Sequence, residues 1–273
     1  MMRATLALLG LLLSLDAGAA PPMIDAHAHY SAPDAAAFAP AEVIAGLDAA
    51  GVTRLVATSS PPALTQTLYR HAPTRVIPLL GVYEADLHKG SWVHDAALPA
   101  RVAVQLDAGH WAGIGELHLF AANARAPVFA HLVKLAAARK LVLMLHGDAA
   151  VVARAFELAP AVRVLWAHLG TEPAPAQLDA MLARYPDLWI DTSVRDARIA
   201  PDGVLLPAWR ALFERHPGRF VVAVDTFSVN RWRHYADVVA EIRRWVEPLP
   251  EPLKSNLLHD NAARLFDRFR PRP

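Results

Sequence analysis

Short apolar runs recur at regular intervals along this chain, and amphipathic stretches separate them. The runs are almost continuously apolar, which is typical of parallel strands that are covered on both faces. Successive runs end some 22 to 35 residues apart, which leaves room for one helix and two loops in each interval. From this pattern we predict eight strands, at Met23–His29, 54–58, 76–82, 113–117, 141–146, 164–168, 188–192 and 220–225.

Helical periodicity fills several of the intervals between the predicted strands. Apolar residues recur at i, i+3 and i+4, and the segments end at glycine or before proline, at Gly51, Pro186 and Pro217. Eight alternating units of this size predict an α/β fold of the (β/α)8 TIM-barrel type. An open doubly wound sheet is the alternative, but no glycine-rich phosphate loop follows the first strand. The clearest helices are predicted at 41–50, 127–139, 175–185 and 206–216.

The first 19 residues have the pattern of a secretory signal peptide. Arg3 precedes an apolar run at 5–15, and small residues at 17–19 form a cleavage site. The run is short for a membrane span, although an uncleaved anchor is the alternative. We therefore expect an exported protein, periplasmic or secreted, that consists of one barrel domain over residues 20–273.

Composition narrows the range of functions. The chain has no cysteine, which excludes disulfides and thiolate metal ligands. Its formal net charge is +1 and it has no run rich in lysine or arginine, so a nucleic-acid partner is not expected. We expect a small-molecule substrate and no membrane association after cleavage of the leader; assembly into a homo-oligomer is left open.

Metal-binding side chains follow several of the predicted strands. His27 and His29 are two residues apart on one strand, so both imidazoles point to one side. Carboxyl ends of barrel strands meet at one mouth, where the later candidates would join this pair. Four imidazoles and two carboxylates suit one divalent ion or a pair that shares a carboxylate; Zn²⁺ is favoured, with Mn²⁺, Fe²⁺ and Co²⁺ as alternatives. The later candidates are Glu116, His146, His168 and Asp225.

Two further residues are candidates for substrate binding. His118 lies two residues past Glu116 and can face the same pocket, and Arg195 follows the seventh predicted strand, where it could clamp a carboxylate or phosphate. Structural roles are the alternative for both. Asp25 could orient a ligand histidine, and Asp148 could cap the helix that follows it.

The order of these residues resembles the amidohydrolase superfamily over essentially the whole mature chain. The segments 218–232, GRFVVAVDTFSVNRW, and 260–266, DNAARLF, are similar to the amidohydrolase-related branch, often called amidohydrolase 2. The segment 115–118, GELH, is similar to the strand-4 glutamate motif of TatD-like hydrolases. Many members carry a carbamylated lysine at strand 4. Here Glu116 takes that place and the nearest lysines lie far past the strand end, so we expect no carbamate bridge.

The resemblance implies a metal-dependent hydrolase of small-molecule amides, esters or lactones. Asp225 is expected to act as the general base towards an activated water, while His168 helps the metal to polarise the scissile bond. Three alternatives stay open. They are a metal-dependent decarboxylase of the same branch, a TatD-like phosphoesterase or nuclease, and a barrel that binds a metal or ligand without catalysis.

Overall fold

The computed structural model describes residues 21–271 and contains eight parallel strands. They pair in chain order, β1 with β2 and onwards to β7 with β8, and every pair is parallel. The predicted signal peptide lies outside the described residues. The strands are β1 (Met23–His29), β2 (Val52–Thr58), β3 (Val76–Leu80), β4 (Gly113–His118), β5 (Val142–His146), β6 (Arg163–Trp166), β7 (Leu188–Asp191) and β8 (Phe220–Val221).

Backbone contacts between β1 and the β8 region bring the ends of the sheet together. The N–H of Ala26 donates to the carbonyl of Val222 at 3.2 Å, and the N–H of Asp225 donates to the carbonyl of His27 at 2.8 Å. The sheet is therefore a nearly closed (β/α)8 TIM barrel, which confirms the predicted fold class. Because the strands are parallel, all their carboxyl ends meet at one mouth.

Helices alternate with the strands and cover the outside of the barrel. Gly51, predicted to end the helix at 41–50, has φ of +67°. Single-turn 3₁₀ helices and one π-helical turn, Asn256–Asp260, lie in the connections. The α-helices are α1 (Ala32–Ala37), α2 (Pro40–Ala49), α3 (Ala63–His71), α4 (Leu98–Ala108), α5 (Pro127–Ala138), α6 (Ala149–Leu158), α7 (Pro175–Arg184), α8 (Asp196–Ile199), α9 (Pro207–Arg215), α10 (Val229–Arg233), α11 (Tyr235–Val246), α12 (Leu253–Ser255) and α13 (Asn261–Leu265).

The core lies between the barrel and this layer of helices. Phe213 of α9 packs edge-on against Phe220 of β8, with ring centroids 4.7 Å apart, and Trp245 of α11 lies 6.0 Å from Phe213. All three side chains are at most 1% exposed. Within residues 21–271, no helix combines the length and the apolar character needed to span a bilayer.

Four predicted strands end earlier than expected: β3 ends at Leu80 and β7 at Asp191, and the other two were predicted to end at site residues. We predicted strands to His168 and Asp225, but β6 ends at Trp166 and β8 at Val221. Beyond these residues some backbone N–H groups donate to side chains instead of a neighbouring strand's backbone: the N–H of Val224 donates to the Asp25 carboxylate at 2.9 Å and that of His168 to Asp191 at 3.0 Å. Both predicted site residues therefore lie on turns at the mouth.

Candidate metal centre

Six side chains from five strands or strand ends meet at the mouth of the barrel, as predicted from their positions at the carboxyl ends of the strands. Five of them are at most 9% exposed, and His146 is half-buried. Ligand atoms of these residues and of His118 form overlapping groups of three, and the atoms of each group lie within 4.8 Å of one another. The six residues are His27, His29, Glu116, His146, His168 and Asp225.

The first group of donors surrounds a single point. His27 Nε2 lies 3.2 Å from His29 Nε2, and His29 Nε2 lies 3.3 Å from Asp225 Oδ1. Oε2 of Glu116 lies 3.5 Å from His27 Nε2 and 3.2 Å from His29 Nε2. Two ligands of one tetrahedral zinc ion lie about 3.3 Å apart when each bond is about 2.0–2.1 Å. The spacing therefore fits the donor set of one divalent ion.

A second group uses the other oxygen of the same glutamate. Oε1 of Glu116 lies 2.9 Å from His146 Nδ1 and 3.2 Å from His168 Nε2. Because Oε2 faces β1 and Oε1 faces β5 and β6, one carboxylate can serve two neighbouring ion positions. The same arrangement also allows a single ion held by fewer ligands.

Backbone conformation places three of these side chains. His168 and Asp225 have φ of +61° and +55°, a left-handed conformation that turns each side chain out of its strand path and towards the mouth. Gly115, before Glu116, has φ of +140°, and a Cβ there would lie 2.6 Å from the carbonyl oxygen of Met144. Only glycine permits this close approach of β4 to β5.

The sequence prediction did not include Asp191, the last residue of β7. Its Oδ2 accepts a hydrogen bond from His27 Nδ1 at 3.1 Å, and its Oδ1 accepts from the backbone N–H of His168 at 3.0 Å. Asp191 is fully buried, which by itself raises its pKa, but hydrogen bonds and charge from His27, supported by His168, hold the pKa at about 2. An acidic residue at a strand end was the available sequence signal.

Asp25 has a different role from the one predicted. Its Oδ1 accepts the backbone N–H groups of His27 at 3.1 Å and Val224 at 2.9 Å, while its Oδ2 accepts the hydroxyl of Tyr235 at 2.9 Å. It therefore joins β1, the β8 segment and α11 through backbone and hydroxyl donors, and the imidazole of His27 is oriented by Asp191.

Side chains from the β8 loop hold the carbonyl end of β1. The hydroxyl of Thr226 accepts the N–H of His29 and donates to its carbonyl, both at 2.9 Å. The indole N–H of Trp232 donates to the same carbonyl at 2.9 Å. Thr226 and Trp232 therefore support the position of His29.

Neighbouring charges strongly perturb the pKa values of His27 and Glu116. Burial lowers the pKa of His27, but the carboxylates of Glu116 and Asp225 around it raise that pKa well above its usual value. Burial would raise the pKa of Glu116, but the surrounding imidazoles hold it well below its usual value. A site that holds imidazoles and carboxylates this close is balanced by protons or by a bound cation.

His118 lies beside this cluster. Its Nε2 is 3.6 Å from Glu116 Oε2, and its ring stacks on His146 with centroids 4.4 Å apart. Trp92 donates from its indole N–H to the His118 carbonyl at 2.9 Å. Burial lowers the pKa of His118 to about 3, although the charge of Glu116 opposes this shift. His118 is therefore a neutral imidazole at the edge of the centre.

Arg195 lies behind the β6 turn. Its Nε donates to the carbonyl of His168 at 2.9 Å and its Nη2 to that of Gly170 at 3.3 Å. These contacts support the turn that carries His168; a contact with substrate stays a prediction. Asp148 caps α6 as predicted, because its Oδ1 accepts the N–H of Val151 at 3.2 Å.

A cavity of about 180 Å³ opens beside the metal centre. It is lined by His29 together with Lys89 from the β3 loop and Phe227 from the β8 loop. Phe227 is 61% exposed, and Phe120, which is 51% exposed, lies 6.3 Å from His146 between ring centroids. A larger cavity of about 480 Å³ contains none of the candidate ligands and lies at the starts of β4 to β6. Cavity volume therefore does not identify the candidate metal centre in this protein.

Comparison with known proteins gives one family match. The amidohydrolase family model matches residues 24–268, which is most of the chain. None of the curated proteins matches the chain.

Three solved structures share the fold at low sequence identity. An amidohydrolase from Burkholderia multivorans with zinc bound is 18% identical, with a TM-score of 0.60 over 90% of this chain and 99% of that one. A probable 2-pyrone-4,6-dicarboxylic acid hydrolase from Acinetobacter baumannii is 16% identical, with a TM-score of 0.62 over 90% and 99%. A TatD homologue from Escherichia coli is 17% identical, with a TM-score of 0.63 over 90% and 98%.

Proposed function

This chain belongs to the amidohydrolase family, and we propose that it is an exported hydrolase that cleaves amide, ester or lactone bonds of small molecules. The family makes it a metal-dependent enzyme of the hydrolase type. Export rests on the pattern of residues 1–19 and makes the periplasm or the exterior its place of action.

One observation carries the proposal. The Nε2 atoms of His27 and His29 lie 3.2 Å apart, and each lies 3.2–3.8 Å from carboxylate oxygens of Glu116 and Asp225, although the four residues come from three separate parts of the barrel. Nitrogen and carboxylate oxygen donors at this spacing suit Zn²⁺, with Mn²⁺, Fe²⁺ and Co²⁺ as alternatives. The second group, completed by His146 and His168, favours two ions that share Glu116.

A divalent ion bound there supplies Lewis-acid chemistry: it lowers the pKa of a coordinated water to about 7 and polarises the bond under attack. Asp225 acts as the general base. Its buried Oδ1 makes no hydrogen bond within residues 21–271 and lies 3.3 Å from His29 Nε2 and 3.8 Å from His27 Nε2. Asp225 takes the proton from water and passes it to the leaving group, so the proton is conserved over the reaction.

Three other residues complete the assignment. Nε2 of His168 lies 3.9 Å from Asp225 Oδ2. We assign His168 to metal binding, through which it helps the metal to polarise the scissile bond. His118 is assigned to the substrate, because its neutral imidazole lies at the edge of the donor set. Arg195 is assigned as a second substrate residue because it follows the seventh strand in sequence. Two of its N–H donors already bind carbonyls of the β6 turn.

One specific observation favours a phosphoesterase as the second candidate. The glutamate at 116 takes the place that TatD-like hydrolases use, and a TatD homologue shares the fold. Against it stands the absence of a run rich in lysine or arginine, which a polynucleotide substrate would require.

The experiment that tests the proposal uses purified protein that is stripped with a chelator and reloaded with Zn²⁺ or Mn²⁺. Metal content is measured alongside turnover of an anilide, an aryl ester, a lactone, an aryl phosphodiester and an aromatic carboxylate. Hydrolysis of the amide, ester or lactone in the loaded protein alone supports the proposal. Release of CO₂ assigns a decarboxylase, cleavage of the phosphodiester alone assigns a phosphoesterase, and failure to retain metal contradicts the metal centre.

A further inference from the structure

The two carboxylate oxygens of Asp191 have unequal sets of donors. Oδ2 accepts from one group, the Nδ1–H of His27 at 3.1 Å. Oδ1 accepts from three groups: the backbone N–H of His168 at 3.0 Å, the backbone N–H of Ser193 at 3.0 Å, and the Ser193 hydroxyl. Asp191 and Ser193 are both fully buried, so solvent does not compete for these bonds.

The Ser193 hydroxyl links Asp191 to a second imidazole. A hydroxyl has one proton, and Ser193 donates it to Oδ1 of Asp191. Its oxygen is therefore left as an acceptor towards His168 Nδ1, which lies 2.8 Å away. Nδ1 of His168 must carry a hydrogen, and the opposite nitrogen, Nε2, faces Glu116 Oε1 at 3.2 Å.

His27 is oriented in the same way, but by a direct hydrogen bond to Asp191. Its Nδ1 donates directly to Asp191, so its Nε2 faces His29 and Glu116 in the first donor group. A histidine binds a metal through a nitrogen that carries no hydrogen, and the partner of the other nitrogen decides which one that is.

We propose that Asp191 and Ser193 form one positioning unit, in which Asp191 sets the metal-facing nitrogen of His27 directly and the Ser193 hydroxyl, held by Asp191, sets that of His168. The inference rests on the proposed function, since it concerns the residues that would hold the metal. Neither Asp191 nor Ser193 faces the reacting bond, and both act through the histidines. One buried carboxylate thereby orients one histidine in each of the two donor groups on either side of Glu116.

Asp191→Asn is expected to affect His27 selectively. The new side chain has one acceptor oxygen and one NH₂ group, and the position with three donors requires the oxygen. The NH₂ group must then point at His27 Nδ1, which has to give up its hydrogen and accept. Nε2 of His27 becomes the protonated nitrogen and can no longer bind an ion. Residues that support a metal ligand in this way are typically worth 10- to 100-fold in metal affinity. We therefore expect the metal affinity of the first donor group, which contains His27, to fall by about that factor.

Ser193→Ala is expected to affect His168 selectively. It removes the acceptor of the His168 Nδ1–H and leaves the bond from His27 to Asp191 in place. We expect a loss of metal affinity of about 10-fold or more in the group of Glu116, His146 and His168. Thr192→Val is the matched control, because Thr192 is equally buried and its hydroxyl makes no hydrogen bond within residues 21–271.

The measurements are metal affinity by chelator competition and proton NMR of the imidazole N–H groups in protein labelled with ¹⁵N-histidine, with and without Zn²⁺. Wild-type protein should show slowly exchanging Nδ1–H signals for both His27 and His168. Ser193→Ala should lose protection of the His168 signal alone, Asp191→Asn should lose the His27 Nδ1–H signal, and Thr192→Val should retain both.

The inference is overturned if Ser193→Ala leaves the His168 signal protected. It is also overturned if both variants weaken the two signals and the metal equally, since that would indicate a general structural role. The NMR signals of the metal-free protein separate this failure from failure of the proposed function. Protected signals that respond as expected in a protein that binds no metal would retain the positioning unit and reject the metal centre.

Discussion

The Nε2 atoms of His27 and His29 lie 3.2 Å apart, on two rings tilted by 48°. Two imidazole nitrogens at this distance require a hydrogen or a cation between them, because two lone pairs would repel each other. Carboxylate oxygens of Glu116 and Asp225 face the same atoms. Substitution of this histidine pair should therefore have the clearest effect on metal binding.

Replacement of both histidines should remove metal and activity together. His27→Ala combined with His29→Ala deletes two of the four donors around the first position, and the remaining carboxylates cannot complete a zinc site alone. Elemental analysis should show loss of the ion, and turnover should fall to background. His131→Ala combined with His234→Ala, which changes two exposed imidazoles, should retain both. Full metal content in the first variant would contradict the assignment.

Asp225→Asn should separate catalysis from metal binding. The amide keeps the shape and a coordinating oxygen but cannot accept the proton of the attacking water. Since a positioned general base is typically worth 10²–10⁴-fold, kcat should fall by about that factor while most of the metal is retained. Asp148→Asn, an aspartate that caps α6, is the control and should turn over normally. A normal rate for Asp225→Asn with metal bound would show that Asp225 is not the base.

His118→Ala should raise KM more than it lowers kcat. The imidazole is neutral because burial lowers its pKa to about 3, so it offers a substrate one hydrogen bond beside Glu116. Loss of one neutral hydrogen bond is worth about 1 kcal/mol, which corresponds to a rise of about 5-fold in KM. Steady-state kinetics and metal analysis test this expectation. Loss of metal instead would assign His118 to the donor set with Glu116 and His146.

Asp196 should make stability depend on pH. Burial raises its pKa to about 6, partly offset by the indole N–H of Trp245, which donates to Oδ1 at 2.8 Å. An unfolded aspartate loses its proton near pH 4, whereas the folded protein keeps this proton up to about pH 6. The contribution of protonated Asp196 to the free energy of unfolding is therefore complete below pH 4 and is lost as the pH rises through 6.

Asp196→Asn should abolish this dependence, because its amide can accept from Trp245 without ionising. The variant should match wild type near pH 4 and exceed it by about 1–3 kcal/mol above pH 6. Urea unfolding at several pH values measures the difference. Asp202→Asn, an exposed aspartate nearby in sequence, should show no such trend. A difference that is the same at every pH would contradict the raised pKa.

Export should leave a processed N-terminus. If residues 1–19 are a signal peptide, N-terminal sequencing of the mature protein should begin near Ala20. Replacing Ala17 and Ala19 with bulky residues should block cleavage, since the peptidase requires small side chains there. An intact Met1 in the soluble mature protein would reject export by this route.

The apolar pattern was sufficient to predict the barrel and the meeting of six side chains. Parallel strands that are covered on both faces must be apolar throughout, so a polar residue at a strand end stands out in the sequence. The carboxyl ends of parallel strands share one mouth, and for this reason positions as distant as His27 and Asp225 could be grouped before any coordinates were known.

Only the tertiary structure decided how those side chains are oriented. Asp25 is two residues from His27 in sequence, yet the carboxylate on its imidazole belongs to Asp191, 164 residues away. The carboxylate of Asp25 accepts instead the hydroxyl of Tyr235 in α11 and the backbone N–H of Val224, and the β1 register shifts between Asp25 and Ala28. At the left-handed turns, the N–H of His168 likewise donates to Asp191 of β7 and the N–H of Asp225 to the carbonyl of His27 in β1. Local spacing determines which residues arrive at the mouth, and long-range hydrogen bonds determine which atoms they present there.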